Sequence, residues 1–353
     1  MASRWCRKLK RFTIFVMVAI VVFITAKQLA ISSSKATVTT SLTERLQISS
    51  KLFQKQLETI SQSEHRATNS SSPRGERGIR NDEPQSPPRR RFPHIFIIGF
   101  GKAGTRALYD MLRMHPNVAG PTPEMRFFSE FYAKGIDWYI GQMPVTTSNV
   151  KTAEKSPRYI IEWSAPNRLK KAMTSQNQTR AKFVVVFRDP FTRSVSEYVE
   201  WQLYRSKRRA ERLPPYEQIA IKNGKADALC PPINTSIYVD HVKNWLKYFP
   251  ASDMCYVSGD ALVANPYPEV KKLEACLGLP NWFKPSNFYF NPTRRFYCLK
   301  PDNKPVQCLN KSKGRTHPDI SKDVENKLRH FFGDYNERLY QITGRNFGWK
   351  VGE

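Results

Sequence analysis

The residues best suited to chemistry lie in a glycine-rich turn that follows an apolar run. The run ends at Ile98, and the turn places Gly99, Gly101 and Gly104 around Lys102 before an amphipathic helical pattern begins. Glycine lets the backbone approach an anion closely, the first N–H groups of a helix point at it, and the lysine adds positive charge. The spacing is not that of a Walker A loop. The stretch predicts an anion-binding turn between a strand and a helix. An ordinary turn that holds a lysine is the alternative.

A second candidate anion ligand is Arg188, which follows the apolar, β-branched run 181–187. Ligands of open α/β sheets bind beyond the carboxyl ends of the strands. Ser196, eight residues further on a predicted helix, places a hydroxyl near the same edge. The alternative is that Arg188 only forms a local ion pair with Asp189.

A third basic loop has a glycine at its centre and consists of Lys313, Gly314, Arg315, Thr316 and His317. Just before it, Cys298 and Cys308 flank a turn-forming Pro-Asp-Asn sequence, which makes them the best candidates for a disulfide. The simpler interpretation of the loop is a solvated turn. The remaining lumenal cysteines have no evident partners and are predicted to be buried thiols: Cys230, Cys255 and Cys276.

These loops alternate with predicted strands and helices. Strands are expected over 150–154, 181–187 and 254–257, and helices over 166–174, from about residue 192 past 198, over 236–249 and over 268–277. Residues 205–212 are expected to be a charged loop. Strands that alternate with helices indicate an α/β fold around a parallel sheet.

The charge of the chain favours a polyanionic partner. Lys and Arg number 57 against 30 Asp and Glu, giving a net charge of +27. Nucleic acid, acidic lipid and acidic polysaccharide all fit this charge.

The amino-terminal organisation narrows that choice. Residues 1–11 are basic, residues 12–31 are largely apolar, and residues 32–93 have the polar composition of a stem that cannot fold alone. With the basic tail held in the cytosol, residues 94–353 would form a lumenal domain behind a single signal anchor. The alternative is a signal peptide cleaved near Ala26. A lumenal domain argues against nucleic acid and permits N-glycans at Asn69, Asn177, Asn234 and Asn310.

The order of these motifs resembles that of the Golgi glycosaminoglycan sulfotransferases, and most closely that of the heparan sulfate 3-O-sulfotransferases. The matching stretches include FIIGFGKAGTRAL, AEKSP, VVVFRDPFTRSVSEY, NFYFNPTRRFYC and CLNKSKGRTHP. They extend from about residue 95 to residue 349. The resemblance implies the sulfotransferase fold, a P-loop-like parallel sheet flanked by helices.

The resemblance also implies a donor, 3′-phosphoadenosine 5′-phosphosulfate (PAPS), with its 3′,5′-bisphosphate PAP as product and no metal ion. By this comparison the 5′-phosphosulfate would be held by Lys102, Ala103, Gly104, Thr105 and Arg106. The 3′-phosphate would be held by Arg188 and Ser196, and residues 313–317 would close over the nucleotide.

Three further roles follow from the resemblance. Glu124 would be the general base, because a sugar hydroxyl needs a carboxylate to take its proton as it attacks sulfur. Lys102 would stabilise charge on the leaving phosphate oxygen. Lys155 would bind an acidic group of the acceptor.

Four positions differ from the family pattern. The usual Glu-x-His-Phe-Phe-Asp stretch has Arg126 and Ser129 in place of His and Asp, with Glu130 next to it. Gly101 replaces a basic residue, and Arg158 replaces a small one. Arg126 and Arg158 are therefore candidate ligands for acceptor sulfate. The differences affect the acceptor side rather than the donor side.

The sequence thus predicts a type II Golgi membrane enzyme that sulfates O-3 of glucosamine in heparan sulfate. Two alternatives remain at this point. One is a glucosamine N-sulfotransferase-like activity. The other is a heparan-binding protein with weak or no catalysis, which is suggested by Arg126 and Ser129.

Overall fold

A five-stranded parallel sheet organises the fold. The computed structural model describes residues 87–294, 296–301, 305–308 and 316–352, all within a unit that spans 83–353. Its strands are β1 Arg89–Arg90, β2 Ile95–Gly99, β3 Val118–Ala119, β4 Val145–Thr146, β5 Lys151–Lys155, β6 Lys182–Phe187, β7 Ile221–Lys222, β8 Lys225–Ala226, β9 Met254–Ser258, β10 Phe288–Asn291 and β11 Phe296–Leu299.

The strand order in the main sheet is β3-β5-β2-β6-β9, and each neighbouring pair is parallel. The three central strands are almost entirely buried. Strands covered on both faces read as continuous apolar runs, as β6 does with its sequence KFVVVF. The predicted α/β fold around a parallel sheet is confirmed. Three two-stranded antiparallel pairs, β1-β4, β7-β8 and β10-β11, lie outside this sheet.

Helices cover both faces of the sheet. The α-helices are α1 Thr105–Leu112, α2 Ile136–Gly141, α3 Ala165–Ser175, α4 Pro190–Lys207, α5 Tyr216–Ala220, α6 Pro231–Thr235, α7 Tyr238–Leu246, α8 Gly259–Ala264, α9 Pro266–Cys276 and α10 Lys322–Thr343. A π-helical turn, Phe127–Phe131, and short 3-10 turns at Tyr132–Lys134, Tyr159–Ile161, Ala251–Asp253 and Pro285–Asn287 complete the described elements.

Helix α4 begins at a strong local signal and runs further than predicted. The Asp189 side chain accepts a hydrogen bond from Thr192 N at 2.8 Å, and Pro190 occupies the first turn. The helix continues to Lys207, so the first part of the predicted loop over 205–212 is helical. Arg205 and Lys207 lie in its last turn, where cations interact favourably with the helix dipole.

The prediction of thiols at two of the three unassigned cysteines is wrong. Cys255 and Cys276 form a disulfide with a Cα–Cα distance of 6.0 Å. Helices α8 and α9 fold the chain back so that the end of α9 lies beside β9, a tertiary contact that the spacing of 21 residues does not reveal. The predicted disulfide between Cys298 and Cys308 is confirmed. Cys230 is buried, as expected.

Several predicted features lie outside the described residues: the tail, the apolar segment 12–31, nearly all of the stem, two acceptor sequons at Asn69 and Asn310, and Lys313, Gly314 and Arg315. Within the described part of the chain, no helix has the length and apolarity that crossing a membrane requires. The sequon residues Asn177 and Asn234 are exposed.

Candidate functional site

The carboxyl edge of the parallel sheet collects the charged residues that the sequence singled out. Strand β5 ends at Lys155, which pairs in register with Ile97 of β2. Strand β2 leads into the turn with Lys102, and β6 leads directly to Arg188. Since parallel strands end at the same edge, the topology brings these three cations to one side of the sheet.

The glycine-rich turn has the backbone of an anion cradle. Lys102 and Gly104 have φ angles of 72° and 107°, a region that glycine adopts readily and other residues rarely. Helix α1 begins immediately afterwards at Thr105, and no side chain of the described residues caps its first N–H groups. Uncapped N–H groups at a helix start are available to an anion. Ala103 is buried in the turn, which fixes its backbone.

Lys102 and Arg106 differ in what they contact. The Lys102 Nζ lies 3.2 Å from a carboxylate oxygen of Glu200 on α4, and its side chain is mostly buried. Arg106 instead pairs along its own helix with Asp110, at 2.8 Å. The Lys102 ammonium therefore lies inside the cleft, whereas the Arg106 guanidinium lies on the half-exposed helix surface.

Arg193 was not among the predicted site residues, and it stabilises the glycine-rich turn through hydrogen bonds from α4. It is almost fully buried, and it donates hydrogen bonds to Gly101 O at 3.3 Å, Ser236 Oγ at 2.8 Å and Pro232 O at 2.7 Å. Its Nη2 also lies 2.7 Å from Glu197. The signal was present in the RDPFTR stretch, but only burial distinguishes this structural arginine from a ligand.

Ser196 lies on the face of α4 that contacts the turn. Arg193, three residues before it, bonds to Gly101 O, and Glu200, four residues after it, pairs with Lys102. Residues three and four apart share one helix face, so Ser196 lies on the side that borders the cleft.

Arg188 follows β6 directly and lies against the glycine-rich turn. Its Nη1 donates to Lys102 O at 3.4 Å, and Tyr238 donates its hydroxyl to Arg188 O at 2.7 Å. The buried Arg188 Nε has no hydrogen-bond partner among the described residues, although Asp260 Oδ1 lies 3.7 Å away. An arginine N–H that is buried without an acceptor is a ready donor to an anionic ligand. The alternative interpretation, a local ion pair between Arg188 and Asp189, is not what the structure shows. Asp189 pairs with Arg329 at 2.8 Å instead.

Asp260 is a second residue that the sequence analysis missed. It accepts hydrogen bonds from Asp189 N at 2.9 Å and Trp349 Nε1 at 3.0 Å. Burial raises the pKa of its carboxyl group. The neighbouring Gly259 packs so closely that a Cβ would lie 2.1 Å from Ala103 O. The start of α8 thus braces the glycine-rich turn and the backbone around Arg188 together.

His317 joins this group from the carboxyl-terminal side. Burial lowers its pKa, and the positive charges of Arg188 and Lys102 lower it further. Of the predicted third basic loop, the described residues are Thr316, which is exposed, and His317, which is half-buried. The structure therefore brings together His317, Lys102 and Arg188, which are far apart in the sequence.

Glu124 and Lys155 form an ion pair at the β5 side of the edge. Lys155 is buried, whereas the Glu124 side chain is 38% exposed, so the buried lysine orients the carboxylate while one side of the carboxylate remains exposed to solvent. The next residue of the AEKSP stretch, Ser156, accepts a hydrogen bond from Arg126 N at 2.9 Å. The segment that carries Glu124 is thereby fixed to the end of β5.

A buried carboxylate lies beneath this pair. Glu154 is fully buried, and burial raises its pKa to about 7, although hydrogen bonds from Ser156 and Tyr139 oppose the shift. Tyr139 donates to it at 3.2 Å. Glu154 therefore supports Ser156 and, through Ser156, the backbone at Arg126. In the sequence this glutamate is noticeable only as part of the AEKSP motif.

The four residues that depart from the family pattern have separate surroundings. Arg126 pairs with Glu130 at 2.8 Å, and Arg158 lies 3.8 Å from the same carboxylate. The Ser129 hydroxyl donates to Arg126 O at 3.2 Å. A Cβ built at Gly101 would meet no atom within 4 Å among the described residues beyond its chain neighbours, so that position borders open space in this part of the structure. Within the described residues no cluster of three metal-ligating side chains occurs.

Comparison with known proteins matches this architecture to one family. Residues 92–348 match the family described as a sulfotransferase domain. Similar curated proteins include the mouse heparan sulfate glucosamine 3-O-sulfotransferase 6, which is 38% identical over 268 residues. The mouse heparan sulfate glucosamine 3-O-sulfotransferase 5 is 40% identical over 264 residues. In each case the match covers 74% of this chain and 75% of the relative. The human 3-O-sulfotransferase 3B1 is 40% identical over 266 residues, with 74% of this chain and 65% of the relative covered.

Proposed function

Since the chain belongs to the sulfotransferase family, and within it to the heparan sulfate glucosamine 3-O-sulfotransferases, we propose that it transfers a sulfo group from PAPS to the 3-hydroxyl of glucosamine in heparan sulfate. The observation that carries the proposal is the pairing of two sites on one sheet edge. A cationic cradle at Lys102 and Arg188 lies on the same edge of the sheet as the partly exposed carboxylate of Glu124.

The cradle suits a ligand with two phosphate groups. The unpartnered Nε of Arg188 and the uncapped start of α1 are two separate donors to anions. Burial lowers the pKa of His317, and the nearby positive charges of Arg188 and Lys102 lower it further, which fits a site that attracts anions. Residues 102–106 would hold the 5′-phosphosulfate, and Arg188 with Ser196 would hold the 3′-phosphate. His317, with residues 313–316, would cover the nucleotide.

The chemistry is a displacement at sulfur. Glu124 removes the proton from O-3 as that oxygen forms a bond to sulfur, and the bond between sulfur and the phosphate oxygen breaks. Lys102 balances the charge that develops on the departing oxygen, which leaves PAP as product. Lys155 orients Glu124 in the free protein and would contact an acidic group of the acceptor. The mechanism uses no metal ion.

Sulfate transfer to purified heparan sulfate tests the activity. We expect labelled donor to place its label on glucosamine O-3 after disaccharide analysis. Label on the glucosamine nitrogen would instead support the N-sulfotransferase alternative.

The role of Glu124 is tested by Glu124→Gln, which keeps the shape of the side chain and removes its basicity. We expect transfer to fall at least about 100-fold, since general-base catalysis contributes that much or more. PAP affinity should remain unchanged because Glu124 lies outside the cradle. Glu211→Gln, at an exposed carboxylate, is the matched control. Undiminished turnover in the Glu124 variant would remove this residue from the mechanism.

We propose in addition that residues 12–31 anchor the protein in the Golgi membrane with the catalytic unit in the lumen. The basic tail, the apolar run and two disulfides support this topology. Protease protection of a carboxyl-terminal tag in sealed vesicles tests it, and a tag digested without detergent would contradict it.

A further inference from the structure

Two exposed arginines meet at one carboxylate next to the proposed base. We propose that Arg126 and Arg158 form a binding site for a sulfo group that the heparan acceptor already carries, and that Glu130 fills this site until the acceptor arrives. The inference rests on the proposed function, because it names the acceptor chemistry that the same cleft would select.

The position of the pair relative to the base follows from two contacts. Glu124 pairs with Lys155, and Arg126 N donates to Ser156 Oγ at 2.9 Å, so the two segments run side by side. Arg126 comes two residues after Glu124, and Arg158 comes three residues after Lys155. At about 3.3 Å per extended residue, the arginines lie at most roughly 7–10 Å along the backbone from the base pair. A substituent on the reacting sugar or its neighbour is within reach of that position.

The geometry of the pair suits a sulfo group. Arg126 Nη1 and Arg158 Nε approach different oxygens of Glu130, at 2.8 and 3.8 Å. One carboxylate faces two guanidinium groups, so the cluster keeps a net positive charge. A sulfo group has three oxygens and can accept hydrogen bonds from both arginines at once.

The backbone conformation at Arg126 is fixed by local contacts. Its φ angle is 49°, which is uncommon for a residue with a side chain, and the hydrogen bond to Ser156 fixes it. The guanidinium carbon lies 5.2 Å from the centre of the Phe131 ring, which limits its directions. The Arg126 side chain is therefore partly pre-oriented, although 42% of its surface is exposed.

Glu130 makes the site selective for sulfated acceptors, because a ligand must displace its carboxylate to bind the two arginines. An acceptor without a sulfo group offers only uronate carboxylates, which have two oxygens and therefore match Glu130 without improving on it, so Glu130 stays in place and the arginines add little affinity. A sulfated acceptor displaces Glu130 into solvent, which is possible because its side chain is 37% exposed. Removing the Glu130 charge should therefore favour sulfated acceptors.

Binding titrations with PAP-loaded protein test the site without relying on catalysis. The ligands are heparan hexasaccharides of equal length that carry no sulfo group, N-sulfo groups only, or N-sulfo with either 6-O- or 2-O-sulfo groups. Arg126→Gln and Arg158→Gln should each weaken binding of a sulfated ligand about five- to tenfold, which is less than a buried charged hydrogen bond would contribute because both side chains are exposed to solvent. The affinity for the unsulfated ligand should change less than about twofold. The ligand set shows which sulfo group is recognised.

Two further variants complete the design. Glu130→Gln should tighten binding of the sulfated ligand, an outcome that a misfolded variant would not give. Arg180→Gln is the matched control, because Arg180 is exposed and precedes β6 at the opposite edge of the sheet. Equal losses for sulfated and unsulfated ligands in the arginine variants, or no loss, would overturn the proposal.

The outcome also separates this proposal from the proposed function. If no hexasaccharide is sulfated by the wild-type protein but the binding difference persists, the catalytic proposal fails and the sulfo site stands. If O-3 is sulfated but the arginine variants do not discriminate, the sulfo site fails and the catalytic proposal stands.

Discussion

The buried Glu154 should make the stability of the protein depend on pH. Its pKa is raised from 4.5 to about 7, mainly by burial. The folded protein therefore binds more protons at this site than the unfolded chain does between these two values. Stability from this group is fully present below about pH 4.5 and is lost as pH rises through about 7. The exchange Glu154→Gln removes this titration and retains a polar group of the same shape, whose amide oxygen can accept from one of the Ser156 and Tyr139 hydroxyls and whose amide nitrogen can donate to the other.

The size of the effect follows from the shift. One pKa unit corresponds to about 1.4 kcal/mol, so a shift of roughly 2.5 units amounts to about 3 kcal/mol over the whole range. Between about pH 5 and pH 8 the wild-type protein should lose about 2.5 kcal/mol of unfolding free energy relative to Glu154→Gln. Because the side chain is fully buried, solvent does not screen the effect.

Urea unfolding of both proteins at a series of pH values measures this difference. The exposed Glu211→Gln variant, measured beside them, should follow the wild-type curve throughout. A difference between wild type and Glu154→Gln that stays constant from about pH 5 to pH 8, or that grows in favour of the wild type, would refute the reasoning. In that case the hydrogen bonds from Ser156 and Tyr139 would stabilise the ionised carboxylate more than burial destabilises it.

Three further predictions concern the elements around the cleft. Replacing Cys255 and Cys276 together by Ser should lower the unfolding free energy by about 3 kcal/mol, since the disulfide closes a loop of 21 residues. Urea unfolding measures this free energy, and equal values for the wild-type protein and the double variant would contradict the prediction. Arg193→Met should lower the unfolding free energy by about 3 kcal/mol, because it leaves the mostly buried Glu197 carboxylate without its partner. It should weaken PAP binding as well. Calorimetry measures both, and unchanged PAP affinity would separate this arginine from the cradle. PAP should raise the lowered pKa of His317, because its phosphates offset the positive charges of the two neighbouring cations, Lys102 and Arg188. PAP should therefore bind more tightly as pH falls. An NMR titration in which the pKa of His317 is the same with and without PAP would contradict this prediction.

The sequence predicted the sheet well because its strands carry local signals. The run that became β6 is apolar and β-branched, and only a strand buried on both faces reads in this way. The turn at Lys102 is also local, because glycine and a following helix are written into consecutive residues. Helix α4 was predicted from about residue 192, close to its actual start at Pro190, but its end was misplaced because a charged helix terminus resembles a charged loop.

Other parts of the site depend on contacts that no local pattern encodes. The disulfide between Cys255 and Cys276 requires α9 to return to the end of β9. Asp260 and Arg193 matter because of where the backbone places them, beside Arg188 and beneath Gly101. Tertiary contacts of this kind follow from the packing of elements, and a single sequence without its structure does not specify them.

The two halves of the site, which we assign to donor and acceptor, differ in how they are built, and this difference bears on how acceptor choice would change. The donor half is braced from several elements: Arg193 supports the turn from α4, Gly259 packs against it from α8, and Asp260 joins both to Arg188. A substitution there disturbs several buried contacts at once. At the acceptor half, Arg126 and Arg158 are exposed and share a single carboxylate. Their side chains can be exchanged at little cost to the fold, so acceptor preference can change while the donor cradle stays fixed.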